Sequence, residues 1–181
     1  MTTEKPLQEH RKANEEEYFR KANAEAAAKL KKRADLEGVG IQDTGLIDHL
    51  LACGFDADSA RALYVLPLID VAWADGAVQA AERREILGVL EKQGIATNTK
   101  AYGLVVKWID RGAADESYLQ ARTLLEPIVQ ELKKSGKDPA AWIIAASEKV
   151  ASVTNSLFGL GSKMISKEER SYIEELAKKF S

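Results

Sequence analysis

LIDVAWADGAVQAAERREILGVL, residues 68–90, places an apolar run, a sharp break and an amphipathic run in succession. Leu68 to Trp73 close a longer segment, SARALYVLPLIDVAWAD, that is apolar on nearly all sides. Such a segment reads as the central helix of a bundle. Pro67 inside it predicts a kink or a division, because proline removes a helical hydrogen bond and crowds the preceding turn. Asp75-Gly76 breaks the chain. Beyond it, QAAERREILGVLEKQ carries Ile86, Leu87 and Leu90 on one helical face and stops at Gly94.

Outward from this stretch the texture stays helical. Thr44 is placed to cap TGLIDHLLACG, which stops at Gly54. Thr97 opens TKAYGLVVKWIDRG, Asp115 caps ESYLQARTLLEPIVQELKK with Pro127 in mid-span, and Asp138-Pro139 starts AAWIIAASEKVASVTNSL. After the FGLGSKM connector, Ser166 and Glu169 form a capping box for KEERSYIEELAKKF. No segment sustains period-two alternation. The expected fold is all-α: a compact bundle of about seven helices over residues 41–181.

Residues 1–40 differ in kind. From residue 8 to residue 37 there is no glycine or proline, and Ala, Glu, Lys and Arg dominate. Glu16–Arg20, Glu17–Lys21 and Glu25–Lys29 have the favourable i,i+4 order. Tyr18, Phe19, Leu30 and Leu36 are the only large apolar residues in residues 8–37. This predicts a long, solvated helical arm protruding from the bundle and ending near Gly38-Val39-Gly40.

Composition narrows the function. The 181 residues carry 26 basic against 28 acidic side chains, which lacks the basic field a nucleic-acid partner requires. Cys53 is the single cysteine, so no intramolecular disulfide forms. No segment reads as a secretory signal or a membrane span, and a cytoplasmic location is expected. His49 and Cys53 are neighbours on one helix but lack the third group and oxyanion donors of a nucleophilic site. Gly159-Leu160-Gly161-Ser162-Lys163 follows a helix and lacks phosphate-loop spacing. Trp73, Trp108 and Trp142 sit in apolar helices and read as core. No catalytic set emerges, and the expected role is binding rather than catalysis.

One constellation carries chemistry. Asp75-Gly76 and Glu82 have the D-G-x5-E spacing of the second half of a calcium-binding loop. The earlier ligand positions fall on Val71 and Trp73, which cannot coordinate, and Asp70 is one residue out of register. Two readings stay open. Glu82 is a latch that accepts backbone N–H groups at the break, or it belongs to a divalent-cation site. The pattern recurs near the C-terminus: Val78, Gln79, Glu82 and Ile86 align with Ile165, Ser166, Glu169 and Ile173, suggesting an internal repeat.

With those residues in place, LIDVAWADGAVQAAERREILGVL resembles the signature of the tellurite-resistance TerB-like family, over roughly residues 44–181. The resemblance implies a seven-helix bundle with internal pseudo-symmetry and a protein-interaction role connected with stress or tellurite resistance. It also implies a divalent-cation site at Asp75, Glu82 and Glu169. The second copy departs from the family pattern, with Ser162-Lys163 where Asp-Gly would stand. The arm is similar to the inhibitory helix of the mitochondrial ATPase inhibitor protein across Glu15-Glu16-Glu17-Tyr18-Phe19-Arg20 and Glu25, Ala28, Leu30, Lys31 and Lys32. That likeness implies a regulator of an ATPase. In either case Tyr18, Phe19 and Arg20 are the expected anchors for a protein partner, because exposed aromatics and arginine favour interfaces.

Overall fold

The computed structural model describes residues 4–136, 139–153 and 165–180, with side chains from Arg11 onward. The described residues form an all-α bundle. Its helices are α1 (Glu4–Gly38), α2 (Thr44–Ala52), α3 (Leu66–Ala72), α4 (Ala80–Lys92), α5 (Lys100–Arg111), α6 (Glu116–Lys134), α7 (Ala140–Val153) and α8 (Lys167–Phe180). Two 3-10 segments, Ser59–Tyr64 and Gly112–Ala114, complete it, and no strand occurs among the described residues. Among the described residues seven α-helices follow the long N-terminal one, as the apolar patterning predicts.

Helix α3 is the hub. All seven of its residues are buried, and α4, α5, α6, α7 and α8 pack around it. Pro67 divides the central segment rather than bending it. The chain runs as a 3-10 helix to Tyr64 and restarts as α-helix at Leu66, so Pro67 falls in the first turn. There its missing N–H costs nothing, since first-turn donors have no intrahelical partner. Pro127 stays within α6, where burial of Leu124, Leu125, Ile128 and Val129 holds the helix together around it. Each such side chain contributes about 1.5–3 kcal/mol on leaving water.

Caps explain where the helices begin. Asp115 caps α6, accepting from the backbone N–H of Ser117 at 3.0 Å and of Tyr118 at 3.3 Å. Two expected starts shift by one or two residues. Asp43, not Thr44, caps α2 through Leu46 N–H at 2.8 Å, and Thr99, not Thr97, caps α5. A carboxylate is the better acceptor at the first, and the second shift follows the turn Thr99 N–H to Ala96 O at 3.0 Å. The expected cap Asp138 and the Gly159–Lys163 connector lie outside the described residues.

The last turn of α1 belongs to the bundle. Leu36 and Ile41 are fully buried, and Arg33 pairs with Asp48 of α2. Glu131 of α6 receives the N–H groups of Gln42 and Asp43 at 3.1 and 2.9 Å, clamping the turn between α1 and α2. Helix α1 ends at Gly38, as the sequence predicts, and its residues are exposed without interruption from Arg11 to Lys32. Elsewhere Trp73 lies against Gly112, whose positive φ of 48° and contact with the indole leave no room for a Cβ. The indole N–H of Trp73 reaches Trp108 O at 3.2 Å, joining the end of α3 to α5.

Candidate functional site

Two regions hold the residues singled out by sequence. The first is α1. Every residue from Arg11 to Lys32 is exposed, a consequence of a sequence that gives the helix no continuous apolar face. Tyr18 is 69% exposed, Phe19 62% and Leu30 67%. The Tyr18 and Phe19 rings meet edge to face, with centroids 5.8 Å apart. Arg20 follows in solvent. Of the expected ion pairs, Glu17–Lys21 closes at 2.9 Å, while Glu16 meets Lys12 at 4.0 Å instead. These exposed pairs contribute about 0.3–0.5 kcal/mol each.

The second region is the pair of capped helix starts. Glu82 is 1% exposed, and its Oε2 accepts from the Gln79 backbone N–H at 2.8 Å. Glu169 is 4% exposed, and its Oε2 accepts from the Ser166 N–H at 2.7 Å. Ser166 Oγ returns the bond from Glu169 N–H at 3.1 Å. The neighbouring positions match too: Val78 and Ile165 are half-buried, and Ile86 and Ile173 are buried. The two helix starts are thus built alike. Asp75 stands apart in solvent, its Oδ1 accepting from Ala77 N–H at 3.3 Å beside Gly76, whose φ of 98° makes the turn. Among the described residues no three His, Cys, Asp or Glu side chains gather where they could hold a metal ion, so Asp75, Glu82 and Glu169 do not form one ligand set.

The structure adds a cluster that the sequence did not single out. Asp70, 7% exposed on α3, accepts the hydroxyls of Tyr118 from α6 and Tyr172 from α8. Arg122 approaches the same oxygen as Tyr172, Nε to Oδ2 at 3.4 Å. Burial pushes the Asp70 carboxyl above its ordinary range, although both tyrosines and Arg122 pull the other way. Burial and the adjacent carboxylate drive both tyrosine hydroxyls far upward, so they remain donors at neutral pH. The cluster floors a cleft of about 790 Å³ that Trp73, Lys167 and Glu175 also line. In the sequence Asp70 is a lone acid in an apolar helix, and its partners lie far along the chain. The available signal was that a single carboxylate at a core position requires hydrogen-bonding partners.

Asp115 shows the opposite balance. Burial raises its carboxyl, but Lys107 at 2.8 Å and the Ser117 hydroxyl outweigh this and hold it at about 2. His49 is exposed on α2, and Cys53, which caps the C-terminal end of that helix, is half-buried. Among the described residues no helix is long and apolar enough to cross a membrane. No family model, curated protein or solved structure matches the chain.

Proposed function

We propose that this protein is a non-enzymatic interaction module of TerB-like type that engages a protein partner through α1, with Tyr18, Phe19 and Arg20 as anchors. One observation carries the reading: two adjacent aromatic rings, each more than half exposed, stand on a helix whose residues Arg11 to Lys32 touch solvent throughout. Exposed aromatic surface is costly, and an aromatic pair next to arginine is the composition of interface hot spots. The bundle supplies a rigid mount, because Leu36, Ile41 and the Glu131 clamp fix the base of the helix. In this reading Glu82 and Glu169 are latches for their helix starts, which supports the internal repeat that the TerB-like resemblance implies. A role in a cytoplasmic stress-response or tellurite-resistance assembly goes with that resemblance.

The test is affinity capture with the intact chain beside Tyr18→Ala and Phe19→Ala. Both substitutions lie on an exposed helix and leave the bundle intact. The expected result is that captured partners are lost from both variants. Retention of every partner by both would end the reading.

A second reading, regulation of a nucleotide-hydrolysing ATPase, is favoured by the exposure of the whole Glu15–Arg20 stretch on one unbroken helix. The intact chain then slows ATP turnover by the captured enzyme, and Phe19→Ala does not.

A further inference from the structure

At one end of the bundle the turn after α1, the 3-10 segment Ser59–Tyr64, the end of α4 and the start of α7 meet around a cleft of about 470 Å³. That volume falls in the range of small-molecule sites, about 300–1,000 Å³. Its lining is apolar and aromatic: Val65, Ile95 and Leu132 are buried, and Tyr64 and Trp142 are half-buried. Residues three apart eclipse in a 3-10 helix, so Arg61 and Tyr64 come to the same wall.

Arg61 brings a positive charge to that wall. Its Nη2 donates to Gln93 O at 2.9 Å and to Gly94 O at 3.3 Å, at the end of α4. A helix C-terminus carries only about half an elementary charge, against the full unit on the guanidinium. Among the described residues no carboxylate pairs with Arg61, its Nε and Nη1 have no acceptor, and no acidic side chain lines the cleft. By contrast, Glu168 and Glu175 line the cleft over Asp70, and carboxylates line those at Asp115, Glu131 and Glu25.

The hydrogen-bonding groups agree. The indole N–H groups of Trp73 and Trp108 donate to Trp108 O and Ser117 Oγ, and Tyr118 and Tyr172 donate to Asp70. The Trp142 N–H and the Tyr64 hydroxyl have no such acceptor among the described residues. Burial pushes the Tyr64 hydroxyl upward, so it stays protonated at neutral pH. The cleft combines a cation, two further donors and an apolar lining.

We propose that this cleft binds a free monocarboxylate with an apolar tail, the carboxylate meeting Arg61 and the tail lying against Tyr64, Leu132 and Trp142. Arginine suits a carboxylate because its donors are fixed in one plane. The inference goes beyond the docking reading, which concerns Tyr18, Phe19 and Arg20 on α1.

Octanoate titrated into the intact chain is followed through the indole N–H resonances in proton–nitrogen NMR, with the Trp142 signal assigned from Trp142→Phe. The expected result is a saturable shift of the Trp142 resonance, with those of Trp73 and Trp108 unmoved. Octylamine and 1-octanol carry the same tail and bind at least about tenfold more weakly, as loss of a charge-assisted hydrogen bond implies. Arg61→Gln weakens octanoate by a similar factor. Because Arg61 also holds the end of α4, Val39→Glu is the second variant. Val39 is exposed at the cleft, so a carboxylate there repels the ligand, whereas Val39→Gln does not. No saturable shift, equal binding of octylamine or 1-octanol, or octanoate binding unchanged in folded Arg61→Gln or in Val39→Glu would each overturn the proposal. Tighter binding of N-acetyl-leucine than of octanoate would also overturn it, by assigning the cleft to the carboxyl terminus of a protein partner.

Discussion

Replacing Asp70 by alanine tests the polar cluster that joins α3, α6 and α8. The Tyr118 side chain is buried, so its hydroxyl loses its acceptor without gaining water. An unsatisfied buried donor costs about 1–3 kcal/mol. Tyr172 is half-buried and can rehydrate, so its lost bond adds only the net value, about 0.5–1.5 kcal/mol. The Arg122 pair adds little, because that guanidinium is half exposed. The sum is about 2–4 kcal/mol. At about 2–4 °C per kcal/mol for a chain of this size, Asp70→Ala lowers the melting temperature by roughly 4–16 °C. Circular dichroism at 222 nm with parallel urea titrations measures it.

A double-mutant cycle sharpens the test. Tyr118→Phe added to Asp70→Ala removes the stranded hydroxyl, so the double variant is more stable than the sum of the single costs predicts by about 1–2 kcal/mol. The pH dependence has a determined sign. The Asp70 carboxyl sits above its ordinary value of 3.8 in the folded protein, so the folded state holds a proton that the unfolded chain releases. Its contribution is fully present below 3.8 and is lost as pH rises through the raised value. The stability advantage of the native chain over Asp70→Asn therefore shrinks as pH rises from below 3.8 through that raised value. An Asp70→Ala melting point within about 2 °C of native, strict additivity in the cycle, or the reverse pH trend would refute the reasoning.

Glu82→Ala and Glu169→Ala each forfeit a charge-assisted bond to a helix-start N–H, about 1.5–3 kcal/mol, and their urea midpoints fall by similar amounts; the Gln variants lose less. As latches, these carboxylates leave the melting point indifferent to calcium or magnesium, and a calcium-induced rise abolished by Glu82→Gln would assign Glu82 to a cation instead. Asp115, held at about 2, stabilises the fold above 3.8 and loses that contribution as pH falls towards 2, so Asp115→Asn flattens the acid limb of the stability profile. Ser147 is fully buried on α7 and its Oγ has no hydrogen-bond partner among the described residues, so Ser147→Ala raises stability by about 1 kcal/mol in urea unfolding.

The extent to which the sequence disclosed this protein follows the range of the interactions involved. Helix starts at Asp115 and Ser166 were legible because a capping side chain and the backbone N–H it accepts lie within three residues. The Glu82 latch was legible for the same reason, and its match to Glu169 followed from comparing two local patterns. Exposure of Tyr18 and Phe19 was legible because a helix without a continuous apolar stripe has no face to bury. The docking of Leu36 at the base of α1 was not legible, because its neighbours come from α2 and the clamp residue, Glu131, is remote in sequence from Gln42 and Asp43. Asp70 is the extreme case. Its partners stand 48 and 102 residues away, and no spacing rule connects an acid on α3 to tyrosines on α6 and α8. Yet the three helices need that acid for a local reason: a carboxylate at the centre of an apolar helix must be matched wherever the fold can match it. Two tyrosines do so here because each brings an apolar ring to the core and a hydroxyl to its edge. An isolated acid in an otherwise apolar helix thus predicts a long-range polar cluster, although only the packed chain reveals which residues complete it.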